Sequence, residues 1–241
     1  MRSAPTTGRS PQAADTDLLL THLITSGVDA QRGYQWEPDP GIVANLAASA
    51  VEHGARVVLL HDAPLTGDVP EGVETFRVEP RGVDVYWERW YHTRDFLRAA
   101  DGLERVFCVD ASDVLVLRPP FEGIEPGVLY IGSEASTVGN RWMRRVHPHP
   151  ELQRFIEDHS NDVLLNCGLV GGTRETVLEY VEDVVAAHHT LSGTGDAGLD
   201  MGLTNYAAYS RWADRLQTGP SVHTQFKKFE TSHPTARFAH K

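Results

Sequence analysis

Asp110 and Asp113 follow directly on an apolar run, Arg105-Val106-Phe107-Cys108-Val109, with only Ala111 and Ser112 between them. A run of that kind reads as a buried strand. In open α/β sheets, ligands bind beyond the carboxyl ends of the strands. Two carboxylates at such an edge supply the hard oxygen ligands that Mg²⁺ or Mn²⁺ takes when held against phosphate oxygens. The competing reading is a turn, because Asp and Ser often turn a chain that leaves a strand.

Three further positions carry the same ambiguity. Asn166 and Gly168 interrupt the otherwise apolar VLLNCGLV. Glycine inside a strand often marks a close backbone approach by a ligand, though a bulge or tight packing also explains it. A buried Asn166 must find a partner, either backbone or a ligand hydroxyl. Asp200 stands just before a helix expected from Met201, as an N-cap or as a carboxylate facing a ligand. Asp196, in the same glycine-rich loop, competes for the second role.

The elements that must position these residues follow from the pattern. DLLLTHLIT (17–25) reads as a strand, Asp39-Pro40 opens a helix ended by Gly54, and RVVLL (56–60) is the next strand. Strand, helix, strand implies a parallel sheet with a right-handed crossover. Residues 73–79 read as a third strand. A helix capped by Asp84 spans 84–100, with Trp87, Tyr91, Arg94 and Arg98 on one face. The two aromatics read as core, but an arginine on that face needs a partner, and Arg94 is the functional choice. Strands at 127–132 and 163–170, a Thr173-capped helix at 174–189, a helix near 198–212 and a short strand near 214–218 complete the reading. The polar, basic stretch 133–150 reads either as an acceptor loop or as a mobile surface loop. One α/β domain over 17–241 is the simplest account, with residues 1–16 expected to be disordered.

Composition narrows the function classes. The chain has 241 residues and a formal net charge of −11, which argues against a nucleic-acid binder but leaves room for a local phosphate site. Cys108 and Cys167 make no CxxC, so a disulfide framework and a cysteine-rich zinc site are disfavoured and buried free thiols are expected. No secretory signal or membrane span is evident, and a cytoplasmic protein is expected. There is no GxGxxG, no GxxxxGK[ST] and no GxSxG, which disfavours a dinucleotide-binding Rossmann domain, a P-loop and a serine hydrolase.

DASDVLVLRPPF resembles the metal-binding motif of nucleotide-sugar glycosyltransferases of the GT-A fold. VLLNCGLVGGTRETVLEYV, GLDMGLTNYAAY and VHTQFKKF resemble that family's later landmarks in order, so the likeness spans about residues 17–229. The fold class it implies is a single GT-A, Rossmann-like, nucleotide-diphospho-sugar transferase domain with a mostly parallel central sheet flanked by helices. It further implies a metal site of Asp110, Asp113 and His223 for Mn²⁺ or Mg²⁺. Lys227 and Lys228, with Arg94, would meet the donor diphosphate. Asn166, Gly168 and Asp200 would position the sugar, and Thr25 and Ser26 would border the nucleotide base and ribose.

The partners implied are a nucleoside-diphosphate sugar and a hydroxyl acceptor of unknown identity, small molecule, glycan or protein. Inverting chemistry needs a general base, for which Glu134 and Asp200 are candidates; retaining chemistry does not. Met201 replaces the family's usual glutamine. That departure leaves two alternatives open. One is a nucleotidyltransferase or sugar-nucleotide hydrolase on the same fold. The other is a non-catalytic sugar-nucleotide-binding protein.

Overall fold

The computed structural model describes residues 16–192, 199–225 and 233–240. The segment expected to be disordered therefore lies outside the described residues except for Thr16, and so do Asp196, Lys227 and Lys228.

The first half alternates strand and helix. Strand β1 (Asp17–Leu23) is followed by a 3-10 turn (Pro40–Val43) and α1 (Ala44–Glu52). Asp39 accepts from the Gly41 amide at the head of this unit, as the Asp-Pro pair predicts. Then come β2 (Arg56–His61), β3 (Val73–Arg77), α2 (Val85–Ala99) and β4 (Arg105–Val109). Asp84 caps α2 by accepting from the Tyr86 amide. β5 (Val114–Val116) comes directly after the two aspartates. The second half holds β6 (Leu129–Thr137), α3 (Arg141–Val146), α4 (Pro150–Asp158), β7 (Val163–Thr173), α5 (Arg174–Leu191) and α6 (Met201–Arg211). β8 (Leu216–Gln217), β9 (His223–Gln225) and β10 (Phe238–His240) close the chain.

Seven strands form the central sheet in the order β3-β2-β1-β4-β7-β6-β8. Pairing is parallel from β3 through β4 and between β6 and β8, whereas β7 runs antiparallel to both β4 and β6. The alternation of strand side chains sorts the core into two layers. Leu18, Leu20, Val58, Leu60, Val106 and Cys108 face Trp87 and Trp90 of α2 and Val177, Tyr180, Val181 and Val184 of α5. Leu19, Val57, Phe107 and Val109 face Leu46 and Ala50 of α1, Val114 and Phe238. Gly171 in β7 lies flat against Phe107, whose ring a Cβ there would overlap.

The expected loop at 133–150 is in part regular structure. β6 continues to Thr137, Asn140 caps α3 through the Met143 amide, and α3 is anchored by fully buried Met143. The chain after Asp113 is also a strand. β5 belongs to a separate three-stranded sheet, β5-β10-β9. Its pairing is non-local: β10 is antiparallel to β5, with His240 opposite Val114, and parallel to β9, with Phe238 opposite His223.

Candidate functional site

A cleft of about 530 Å³ opens at the carboxyl ends of β1 and β4, between the α2 helix and the β6–β7 pair. Asp110, Asp113, Asn166, Gly168 and Asp200 all line it, as do His22, Arg32, Arg89, Glu134 and His240. The turn reading of the two aspartates and the plain N-cap reading of Asp200 therefore do not describe where these side chains go. Asp200 makes no side-chain cap bond to α6.

Asp110 is held by backbone and side chain together. Its amide donates to the Gly168 carbonyl at 2.8 Å, which extends the β4–β7 ladder one step past the end of β4. The carboxylate fills the space above Gly168, where a Cβ would overlap it. Glycine at 168 thus serves a close approach by Asp110 itself. Burial works against the charge on Asp110, but His240, Arg89 and Arg32 outweigh it and hold the carboxyl below its usual range.

Asp113 is 4% exposed and lies 3.9 Å from the Arg32 guanidinium. Asp110, Asp113 and His240 each offer a ligand atom, and the three atoms lie within 4.8 Å of one another. Register explains this grouping. Pairing His240 with Val114 seats the imidazole beside the residue that follows Asp113, over Gly132 and Gly168, which leave room for the ring. His240 Nε2 is 3.9 Å from Asp110 Oδ2, and its buried Nδ1 has no hydrogen-bond partner among the described residues. Two carboxylates and an imidazole fit a divalent cation such as Mn²⁺ or Mg²⁺.

The histidine differs from the one expected. His223 pairs at the level of Phe238, two residues and about 6.6 Å of strand behind His240. Its Nε2 accepts from the Ser133 amide at 2.8 Å, so the proton of the neutral ring sits on Nδ1. Burial, then His240, lower its pKa to about 4 against the opposing pull of Glu134. His223 therefore supports β6 and packs against His240, with ring centroids 5.9 Å apart.

The arginine differs too. Arg94 forks Asp95, lies over the Tyr91 ring and is not among the residues that line the cleft. The face of α2 that meets the cleft carries Tyr86, Arg89, Trp90 and Thr93. Arg89 Nη1 donates to Asp110 at 2.9 Å, Nη2 contacts the Cys167 sulfur at 3.0 Å, and Nε reaches Asp200 at 3.1 Å. Burial opposes its charge, and Asp200, Cys167 and Asp110 outweigh it, so its pKa stands well above the ordinary value. Trp90 Nε1 donates to the same Asp200 oxygen at 2.6 Å. The spacing Tyr86, Arg89, Trp90, Thr93 is a helical stripe in its own right, and it is the signal that would have found Arg89.

Asn166 spans the opposite wall. Its side-chain nitrogen donates to Glu134, and its oxygen accepts from the Gly168 amide at 2.8 Å. Asn205 of α6 grips both backbone groups of Leu165 at 2.9 and 3.0 Å, which fixes α6, and Asp200 ahead of it, against β7.

Thr25 and Ser26 do not line the cleft. Both amides and the Thr25 hydroxyl donate to Asp62 at the end of β2, at 2.8 to 2.9 Å. The loop beyond them does reach it. Asp29 accepts from the Gln31 and Arg32 amides, Trp36 Nε1 and the Tyr86 hydroxyl, and the Arg32 guanidinium lies 5.0 Å over the Trp36 ring. Arg237 donates to the Ser221 and Glu122 carbonyls. Both cysteines are free and buried.

The charge balance of the cleft is uneven. Five carboxylates (Asp29, Asp110, Asp113, Glu134 and Asp200) line it against two guanidiniums, Arg32 and Arg89. A wall so charged repels phosphate unless a cation offsets it. No helix among the described residues is long and apolar enough to cross a membrane. In comparisons with known proteins, no protein-family model and no curated protein matches the chain.

Proposed function

We propose that the chain is a GT-A-type, metal-dependent glycosyltransferase that transfers a sugar from a nucleoside-diphosphate donor to a hydroxyl acceptor. The observation that carries this reading is the Asp110–Asp113–His240 group at the carboxyl edge of the sheet, in a cleft whose lining carboxylates outnumber its guanidiniums. These three residues would hold Mn²⁺ or Mg²⁺. When bound, the ion supplies the positive charge that stabilises a leaving diphosphate.

The remaining residues orient the donor. Arg89 fixes Asp110 and Asp200 relative to each other, so the metal end and the sugar end of the cleft form one rigid unit. Such preorganised charge stabilises a transition state without reorganising at the moment of reaction. Asp200 and the Asn166–Gly168 wall would accept and donate to the sugar hydroxyls. The nucleoside would lie toward Asp29 and Trp36, which line the cleft. Asp200 Oδ2 receives Arg89 and Trp90, so Asp200 acts here as a positioning carboxylate, and Glu134, which lines the cleft and receives the Asn166 side chain, would face an acceptor hydroxyl.

A thermal-shift panel of UDP-, GDP-, ADP- and dTDP-sugars, each with and without Mn²⁺, tests the reading. A donor that binds only the folded chain adds about 2.7 kcal/mol at a hundredfold excess over its Kd. The account expects one base to raise the midpoint, and only with metal present. A shift with every nucleotide in EDTA, or with none in Mn²⁺, would remove it.

A further inference from the structure

The segment that follows Glu134 carries charge of the opposite sign to the carboxylates lining the cleft. Residues 135–150 contain three arginines and neither aspartate nor glutamate, in a chain with 33 acidic residues. Asn140 and Trp142 line the cleft, and Met143 is buried in a cluster with Val138, Phe155, Ile156 and Leu164, against which Trp142 also packs. At about 100° per residue, Arg141, Arg144 and Arg145 fall on the sector facing away from Met143, with Trp142 bordering it on the cleft side. All three arginines are exposed. Among the described residues none of them pairs with a carboxylate; the bond made is from Arg144 Nε to the Gly139 carbonyl at 3.1 Å.

An ordinary solvated helix mixes its charges. The neighbouring α4 does so, with Arg154 beside Glu157 and Asp158. α3 does not. Arg141 and Arg145, about 100° and about 60° around the helix from the half-buried, cleft-lining indole of Trp142, form with it a surface for a ring that carries a negative group.

We propose that Arg141 and Arg145, with Trp142, bind an anionic acceptor sugar: Trp142 takes the face of the ring and the two arginines take its phosphate or carboxylate. This rests on the transferase reading of the cleft. The guanidiniums hold the charged end outside the negative floor, which orients a hydroxyl of the acceptor inward toward Glu134 and Asn166.

The test is calorimetric titration of the full chain in Mn²⁺ and UDP, with glucose 6-phosphate, glucuronate, glucose and inorganic phosphate as probes. The charged sugars should bind at least about tenfold more tightly than glucose, with affinity falling as salt is raised. Arg141→Ser/Arg145→Ser should abolish that preference, and Trp142→Leu should weaken all three sugars while leaving inorganic phosphate unchanged. Equal affinity for charged and neutral sugars, or a preference that survives in the double variant, would overturn the proposal. So would inorganic phosphate binding as tightly as the sugar phosphate, which marks a generic anion patch. UDP is titrated first. If UDP gives no heat, the transferase reading fails, and the same sugar preference measured in EDTA still decides this site.

Discussion

Arg89 and Asp200, 111 residues apart in sequence, are joined across the floor of the cleft by two hydrogen bonds onto one carboxylate oxygen, from Nε at 3.1 Å and Nη2 at 2.6 Å. The guanidinium is largely buried and the carboxylate almost wholly so. Without Arg89, Asp200 has no cationic partner among the described residues, and without Asp200 the guanidinium keeps only Asp110. Breaking such a pair typically costs about 3–5 kcal/mol.

Asp200→Asn should therefore destabilise the fold by about 3 kcal/mol, since it leaves Arg89 with Asp110 as its remaining carboxylate. Urea unfolding of the variant and the parent measures it. A loss below about 0.5 kcal/mol would mean that the pair is solvated in solution.

Gly168→Ala puts a methyl group into the space the Asp110 carboxylate occupies. The carboxylate must move, and the three ligand atoms it shares with Asp113 and His240 separate. Mn²⁺ affinity should fall at least about tenfold, read by titration. Unchanged Mn²⁺ affinity would show that Asp110 is not held where the structure places it.

His147 carries the clearest pH prediction. It is fully buried, and neither ring nitrogen has a hydrogen-bond partner among the described residues. Gly202 admits the ring, since a Cβ there would lie 2.6 Å from His147 Cγ. Burial lowers its pKa from 6.5 to about 4, against the pull of Asp200. Between those values the unfolded chain binds the extra proton, so its contribution is complete above about pH 6.5 and is lost as pH falls toward 4. The shift corresponds to about 3 kcal/mol. His147→Leu should keep the pH 7 stability and flatten the decline between pH 6.5 and 4; an unaltered decline contradicts this.

Arg94→Ser and Arg89→Lys separate the two faces of α2. Arg94 pairs with the half-exposed Asp95, a contact worth about 0.2–1 kcal/mol, and its loss should leave Mn²⁺ and UDP binding intact. Arg89→Lys removes the fork that spans Asp110 and Asp200 and should weaken UDP binding about tenfold. The reverse ranking would return the function to Arg94.

These contrasts show which features a sequence carries locally. Asp110 at a strand end, and Asp39 and Asp84 as caps, are fixed by neighbours in the chain and can be read there, whereas the group that approaches Gly168 is the Asp110 carboxylate from 58 residues earlier and not the ligand expected. The face of α2 is harder, because two stripes with helical spacing overlap and both contain aromatics and arginine. Trp87 and Tyr91 are core, as expected, but the arginine that follows them on that face is not the one in the cleft. The histidine is harder still. His240 reaches Asp113 only because β10 pairs antiparallel with β5, more than 120 residues earlier, and no local pattern encodes that register. The His-Thr-Gln-Phe-Lys-Lys segment has the stronger motif, yet its histidine pairs one strand over and two residues back. The stretch 133–150 reads as loop because α3 is short and basic, and Met143 is the one buried residue within that helix.

The most direct test of the account is Mn²⁺-dependent UDP binding by calorimetry in four variants: Asp110→Asn, Asp113→Asn, His240→Gln and His223→Gln. The account predicts that the first three lose metal-dependent UDP binding while His223→Gln retains it. Retention in Asp113→Asn and His240→Gln, or loss confined to His223→Gln, would contradict it.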